Sequence, residues 1–344
     1  VAREALDDAG LNPSKETESL IGVFVGAAAN THQYDINTPR RASSFEDRHR
    51  VVLDENISTF TSYKLNLTGP NLTLNTACAS SLVALHQGLN ALRSGDCDCI
   101  LVGGTNVVYP QTGSYITTLG NVFAASGTCR PFDARADRSV PSEAVAAVVV
   151  KPLHAAIRDG DAVYAIIEGH AIGTDGNIDK VGFSVPSSTG QSRTVLDAIR
   201  NSGGNASRIK YIEMHGSGTR IGDALELEGL TKAFDTFDLP GDSLVHVGSN
   251  KGNCGNSETT SGLLSLIKAS LAISHAVVPP LKELGDTNPL CDFERSRFRV
   301  LTSCLELEVG DRVGVTSLGY GGTNAHCILA SPKTCLCDGL RCRV

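Results

Sequence analysis

Three short turns in this sequence gather residue types that do covalent and acid–base chemistry: Cys78 in TACASS (76–81), His215 in HGSGT (215–219), and the Lys251 to Glu258 run KGNCGNSE. Before Cys78, Leu72, Leu74 and Thr76 alternate with polar positions; after it, Leu82, Leu85, Leu89 and Leu92 recur at the three-and-four spacing of a buried helical face. The pattern predicts strand, tight turn, helix, with Cys78 on the hinge. A thiol placed there faces unpaired backbone N–H groups and the positive end of the helix dipole, which favour the nucleophilic thiolate. Ala77, Ala79 and Ser80 are small enough to let a substrate carbonyl approach, and the N–H of Cys78 is an available oxyanion donor. Read alone, the stretch fits a buried structural cysteine equally, because free cysteine is among the most buried residue types.

The elements that must position these turns follow from apolar runs and breakers. Val1 to Leu11 reads as a short helix stopped by Gly10 and the Asn-Pro pair at 12 and 13. Leu20 to Ala28 and Cys99 to Val107 are continuous apolar runs of strand length, as in a sheet covered on both faces. Residues 30–51 are polar and aperiodic, a long surface loop, and Tyr63 to Pro70 is expected to be a turn feeding the strand before Cys78. Further strands are predicted at 146–150, 164–172, 209–214, 244–248 and 314–318, with helices over Gln191 to Ser202 and from about Ser257 to Ser274. The charged residues Arg130, Asp133, Arg135 and Asp137 read as a salt-bridged loop. Strands alternate with helices in both halves, which gives an α/β fold with buried sheets and suggests an internal duplication. In such folds chemistry sits in the turns after the carboxyl ends of strands, where all three reactive turns fall.

Bulk properties narrow the class. A chain of 344 residues with net charge −7 does not have the basic character of a nucleic-acid binder or of a protein held on an acidic membrane surface. No run approaches the roughly 18 apolar residues of a membrane span, and no charged-then-apolar leader opens the sequence, so a cytoplasmic location is expected. The 11 cysteines are scattered, which favours reduced thiols over a disulfide framework, and Cys97 and Cys99 are too isolated to read as a zinc site; no metal is expected. A sequence opening at Val1 inside a helix, with Met214 as its single methionine, reads as a domain cut from a longer polypeptide.

With these turns in place, the sequence resembles the β-ketoacyl synthases, the ketosynthase condensing domains of polyketide and fatty acid synthases. The family's hallmarks are a TACSSS-type nucleophile, HGTGTxxGDPxE, KSNxGHxE and GFGGTNAH; here they stand as TACASS, HGSGTRIGDALE (215–226), KGNCGNSE (251–258) and GYGGTNAH (319–326). YKLNLTGP, CRPFDARAD and FRV (298–300) also match, and KVGFSVPSSTGQ (180–191) is closer to ketosynthases of hybrid nonribosomal peptide–polyketide enzymes. The resemblance implies the thiolase fold, two duplicated βαβαβ-type halves in five layers, commonly a homodimer. The halves would be 1–152, carrying the nucleophile, and 153–330, carrying His215, Asn256 and GYGGTNAH, with 331–344 an unassigned cysteine-rich tail. The family's first strand would precede Val1, leaving the first half without it.

The implied chemistry is thioester exchange followed by carbon–carbon bond formation. Cys78 would accept an acyl group from the phosphopantetheine of an acyl or peptidyl carrier protein, with no cofactor bound by the domain itself and with neighbouring synthase domains in the parent chain. His215 would polarise or deprotonate the incoming carbon acid. Ser217 and Thr219 match hydroxyls that bind the pantetheine arm, and Lys251 with Glu258 matches a supporting charged pair behind the site. The backbone N–H of Tyr320 would complete an oxyanion hole with that of Cys78; Tyr320 replaces the usual phenylalanine.

The family's second histidine falls at Asn256. An amide donates a hydrogen bond but carries no proton near neutrality, so decarboxylation of a malonyl thioester should suffer while loading of Cys78 survives. A Cys-His-Asn set suffices for acyl transfer in other folds. The expectation is therefore non-decarboxylative transfer, or Dieckmann-type cyclising release of a substrate whose acidic carbon lies between two carbonyls and is deprotonated by His215. Ordinary decarboxylative Claisen elongation and a catalytically silent scaffold are the alternatives. Asn256 also reads as the cap of a helix starting at Ser257. The family's GEG near 142 reads Ser142-Glu143-Ala144, which would strain the loop if glycine torsions were needed there.

Overall fold

The computed structural model describes residues 1–12, 20–29, 56–109, 113–118, 122–177, 179–241 and 243–333. The expected loop at 30–51 and the cysteines of the tail lie outside the described residues. Two compact units are present: Val1–Ile116 with Glu143–Pro152 and Ser257–Leu263, and Thr117–Ser142 with Leu153–Asn256 and Leu264–Val344.

The first unit holds a four-stranded sheet. Strand β1 (Ile21–Ala27) pairs in parallel with β2 (Asn71–Leu74) and β3 (Cys99–Asn106), and β4 (Ala144–Val150) runs antiparallel to β3, giving the order β2-β1-β3-β4. Every residue of β1 is buried, as a run without polar alternation requires. Alternate residues of the sheet divide between two faces. Ile21, Val23, Val25, Cys99 and Leu101 cluster with Leu6 of helix α1 (Ala2–Asp8), and Ile57, Leu65, Ala147 and Val149 pack around them. Phe24 and Ile100 point the other way, toward Gly88 of helix α3 (Ser80–Ser94).

Where a turn was expected at Tyr63 to Pro70, helix α2 (Asn56–Leu65) occupies the first part and the chain turns only at Asn66, with φ 55°. Its fully buried positions are Ser58 and Ser62, one helical turn apart, so no leucine-type period announces it. Ser58 docks on β2: its hydroxyl accepts from Thr73 Oγ1 at 2.9 Å, and its N–H donates to the same oxygen at 3.2 Å.

The second unit holds a six-stranded sheet of order β5-β12-β11-β6-β7-β9. Its strands are β5 (Ile166–Thr174), β6 (Ile209–Glu213), β7 (Val245–Gly248), β9 (Phe298–Val300), β11 (Arg312–Leu318) and β12 (Thr323–Ala330). The short strands β8 (Val277–Val278) and β10 (Leu305–Glu306) form a separate antiparallel pair. After helix α4 (Leu153–Asp159), helix α5 (Ser188–Asn201) starts three residues before its apolar period, because the Ser187 side chain accepts from the Gly190 N–H and caps it. Val195, Ala198 and Ile199 of α5 join Leu227, Leu230 and Phe234 of α6 (Arg220–Phe234) over Ile212, Phe298 and Ile328 in one core.

The two sheets repeat one pairing scheme. β4-β3-β1-β2 and β12-β11-β6-β7 each consist of an antiparallel pair followed by two parallel pairings. In the second sheet β5 pairs antiparallel with the outer edge of β12; among the described residues no strand pairs the outer edge of β4.

The long helix predicted from Ser257 is α8 (Ser261–His275), preceded by a single 3₁₀ turn, Glu258–Thr260, whose cap is Ser257. Asn256 therefore does not cap it. The short helix α7 (Lys251–Cys254) lies just upstream and ends on Gly255. Neither Ser142 nor Ala144 has a positive φ, so replacing the family's glycines strains neither position.

Candidate active site

In the first unit Cys78 sits between β2 and α3 on a turn braced by short bonds. Thr76 N–H donates to Ser80 Oγ at 2.8 Å, Ser80 Oγ donates to the Ala77 carbonyl at 2.6 Å, and Ala77 N–H donates to Asn75 Oδ1 at 2.9 Å. These bonds hold Ala77 at φ 54°, a left-handed torsion that a residue with a Cβ adopts only under constraint. The strand stops at Leu74 and the helix starts at Ser80, so Cys78 lies one residue outside the cap, Ala79. It is half-buried, and Ser261 Oγ donates to its carbonyl at 3.4 Å. Gly26 of β1 lets the helix come this close: a Cβ there would stand 2.6 Å from the Ser80 carbonyl carbon and the Ser81 nitrogen. Leu89 and Leu92, expected on the buried face, are only half-covered; Gly88 takes the innermost place on that side.

In the second unit His215 follows β6 and is buried. Both oxygens of Glu226, on α6, hold the turn from beneath, accepting the N–H groups of His215 at 2.7 Å and Gly216 at 2.9 Å. Leu318, the last residue of β11, donates its N–H to His215 Nδ1 at 3.4 Å. Burial first, and then the charge of Lys251, push the His215 pKa well below the ordinary imidazole value. The ring is therefore neutral at pH 7. With Nδ1 accepting, the remaining proton is on Nε2, which becomes a donor.

Lys251 is buried at the start of α7, and its charge acts on Asp223 and Glu226 as well as on His215. The preceding residue is fixed from β6: Asn250 N–H donates to Glu213 Oε1 at 2.6 Å, while Glu213 Oε2 takes Lys268 Nζ and the Tyr211 hydroxyl, each at 2.6 Å. Burial raises the Asp223 carboxyl to about 7, against the backbone N–H of Phe132, and raises Glu226 to about 8, against those of Gly216 and His215. Asp223 Oδ1 has no hydrogen-bond partner.

Both carboxyls bind protons more tightly folded than unfolded. Their contribution to stability is thus full below about pH 4 and is lost as pH rises through about 7 to 8. Asp223→Asn keeps an acceptor for Phe132 and removes the buried charge. It is expected to change the melting temperature little at pH 5 and to raise it relative to the native chain at pH 8.5; a shift of the same sign and size at both pH values would contradict this.

Ser217 and Thr219 lie together, half-buried, with hydroxyl oxygens 3.0 Å apart. Asn256 is half-buried, and its backbone is pinned on both sides: its N–H donates to the Val140 carbonyl at 2.7 Å, and its own carbonyl accepts from Ser142 N–H at 3.0 Å. Tyr320 is exposed, its ring edge-on to Phe183 at 6.0 Å. Glu258, expected behind the site, is exposed on the 3₁₀ turn of the first unit, where partial desolvation raises its pKa. His326, which ends GYGGTNAH, is internal to the sheet, with Nδ1 2.9 Å from Thr316 Oγ1 and a pKa driven by burial to about 3.

The second unit carries His215, Ser217, Thr219, Lys251 and Asn256, with Lys251 acting on His215, and the first unit carries Cys78 and Glu258. Sequence reasoning passed over Asp223 and Glu226, although two acids three apart on a helix after a glycine-rich turn share one face and point back at that turn. It also passed over Glu213, which ends β6. Among the described residues no group of side chains is arranged to hold a metal ion, and no helix is long and apolar enough to cross a membrane.

Comparison with known proteins gives the family and the fold. Residues 1–156 match the beta-ketoacyl synthase N-terminal domain and residues 164–284 its C-terminal domain. The hybrid PKS-NRPS synthetase TAS1 of Cordyceps militaris is 51% identical across 96% of this chain, and a subunit of the phenolphthiocerol/phthiocerol polyketide synthase of Mycobacterium tuberculosis is 36% identical across 95%. The chain spans 23% of each of those relatives. Ketosynthase twelve of the bacillaene polyketide synthase of Bacillus amyloliquefaciens superimposes with a TM-score of 0.89 at 30% identity, over 95% of this chain and 58% of that one, so the thiolase fold is shared. A cysteine on a braced strand-to-helix turn, a neutral buried histidine in HGSGT, and family matches running through both units lead to one conclusion: the chain belongs to the β-ketoacyl synthase family.

Proposed function

We propose that this domain takes an acyl or peptidyl group from a carrier-protein thioester onto Cys78 and forms a carbon–carbon bond without decarboxylation, most simply by intramolecular Dieckmann closure. One observation carries the reading above the others: Asn256 stands where the family has its second imidazole, on a backbone pinned from both sides. The Cys78 sulfur attacks the thioester carbonyl and the carrier leaves as its thiolate. A carbon between two carbonyls loses its proton to that thiolate, attacks the Cys78 acyl carbonyl, and expels Cys78.

His215 acts here as a donor. Its neutral ring, with Nδ1 facing the Leu318 N–H, offers Nε2–H to the developing oxyanion, and the Asn256 carboxamide NH2 is a second donor that neither takes up nor releases a proton near neutrality. With Nε2 already protonated and Nδ1 taken by the Leu318 N–H, the ring has no open lone pair, which favours this polarising role over proton abstraction. The N–H groups of Cys78 and Tyr320 serve as the oxyanion hole, the Ser217 and Thr219 hydroxyls suit the amides of a pantetheine arm, and Lys251 and Glu258 are supporting residues. Relatives named as hybrid PKS-NRPS synthetases support a peptidyl carrier as donor and neighbouring synthase domains as partners. A homodimer is proposed as well, and the β2 edge, with Leu72 exposed and no strand paired on it among the described residues, suits it.

Carbon dioxide release from a malonyl-carrier thioester tests the reading. The native chain is expected to release it at least about 100-fold more slowly than Asn256→His, the scale of one proton-handling group. Robust release by the native chain would favour elongation. An absence of any acyl adduct would favour a silent scaffold.

A further inference from the structure

The extended strap Arg138–Ser142, in the second unit, touches the two turns that carry His215 and Asn256. At one end the Arg138 carbonyl lies against Gly218 of the HGSGT turn, 3.1 Å from where a Cβ on that glycine would sit. At the other end Pro141 forms an isolated parallel bridge with Asn256 through the two hydrogen bonds that pin the Asn256 backbone. Between them, Ser139 is fixed from the far side: its carbonyl accepts from Ala124 N–H at 2.7 Å, and its N–H donates to the Val122 carbonyl at 3.2 Å. The strap is taut. Arg138 is held at φ 136°, a region sparsely populated by residues with a Cβ, and such torsions persist only where the surroundings over-determine them.

Two departures from the family pattern meet on this strap. Ser142 stands at the first glycine of GEG, and Asn256 at the second histidine. In the structure the two residues share a hydrogen bond, and the Ser142 side chain covers Gly255, the residue before Asn256. A Cβ on Gly255 would lie 3.0 Å from Ser142 Cβ, 3.2 Å from its Oγ and 2.9 Å from the Val140 carbonyl. Gly255 itself has φ 73°. An asparagine side chain is shorter than a histidine, so its amide reaches a substrate oxygen only if its backbone is held further forward. A serine in place of a glycine at 142 puts a Cβ and a hydroxyl against Gly255, where they can hold that backbone.

We propose that Ser142 is a positioning residue that acts through Gly255 to set the place of Asn256 relative to His215, the strap being the common reference for both turns. This rests on the role given to Asn256 above. Ser142 is not required to touch substrate.

The test is a double-mutant cycle on single-turnover kinetics, followed by intact mass. The full chain is loaded with an N-acetoacetyl-aminoacyl thioester of pantetheine, and both the appearance and the discharge of acyl-Cys78 are timed. Ser142→Gly is expected to leave loading and melting temperature unchanged and to slow discharge about tenfold, the scale of a small misplacement of a reacting group. Gly255→Ala, whose methyl has nowhere to go, should slow discharge at least as much. Asn256→Ala should slow it further, and Ser142→Gly should then add nothing, because a residue that acts only through another is silent once that other is gone.

Native discharge in Ser142→Gly, or a loss that multiplies that of Asn256→Ala, overturns the proposal. Discharge to an uncyclised product by the native chain would overturn the Dieckmann reading alone, with the coupling still measured on discharge. Native discharge in Asn256→Ala would overturn the role of Asn256 and this proposal with it.

Discussion

Cys78→Ala should remain unmodified when an acyl- or peptidyl-carrier thioester is added, whereas the native chain gains the acyl mass, a difference of at least about 1000-fold in adduct formed. The size of the effect follows from the lack, among the described residues, of a second thiol on such a turn. Cys97, Cys99, Cys129, Cys291 and Cys327 are buried. Burial raises the Cys129 thiol to about 11 and Cys291 and Cys327 to about 12, so these stay protonated and inert near neutrality. Cys254 and Cys304 are exposed, but neither stands on a braced turn at a helix start. Because Cys78 is only half-buried, the alanine variant should melt close to the native temperature, which separates loss of the nucleophile from loss of the fold. Peptide mapping that finds the adduct undiminished in Cys78→Ala, on any other cysteine, would remove Cys78 from the mechanism.

Gly26→Ala should damage both stability and loading from a position that never meets substrate. The added methyl would stand 2.6 Å from two backbone atoms of α3, and backbone cannot rotate aside as a side-chain tip can. Either β1 or the first turn of the helix must move. Overpacking of this kind costs about 1–3 kcal/mol, and a displacement near 1 Å at a reacting group costs on the order of 100-fold in rate. A melting scan and the Cys78 loading rate should therefore fall together. Gly241→Ala, with nothing within 4 Å of its new methyl, is the control and should match the native chain in both. Native loading in Gly26→Ala would show that the nucleophile turn is indifferent to its floor.

Much of this was legible in the sequence where local chemistry decides the outcome. The continuous apolar run of β1 announces a strand buried on both faces, and the glycine-rich polar turns announce strand ends. The failures share a cause. Helix α2 buries serines, and Asn256 looks like a cap until Gly255 ends α7 and a 3₁₀ turn intervenes before α8. Both depend on partners far away in the sequence: Thr73 for Ser58, Val140 and Ser142 for Asn256. The carboxyl clamp beneath His215 was in plain view as Glu226 within HGSGTRIGDALE, yet only the packing of α6 against the turn gives that acid a task. No periodicity reports that a strap at 138–142 must pass between two turns more than 70 residues further along.

The outer edge of β4 bears on what the first sheet can take up. Its sequence, AVAAVVV, has no charge, no proline and no glycine, and Val145 on it is half-exposed. An uncharged strand edge is a template for another strand. The second sheet closes the matching edge of β12 with β5; the first presents its edge bare among the described residues. The matching edge in the second sheet takes an antiparallel strand, so the strand that suits β4 is one that runs as β5 does, and pairing there would leave the Cys78 turn, at the opposite end of the strand order, untouched.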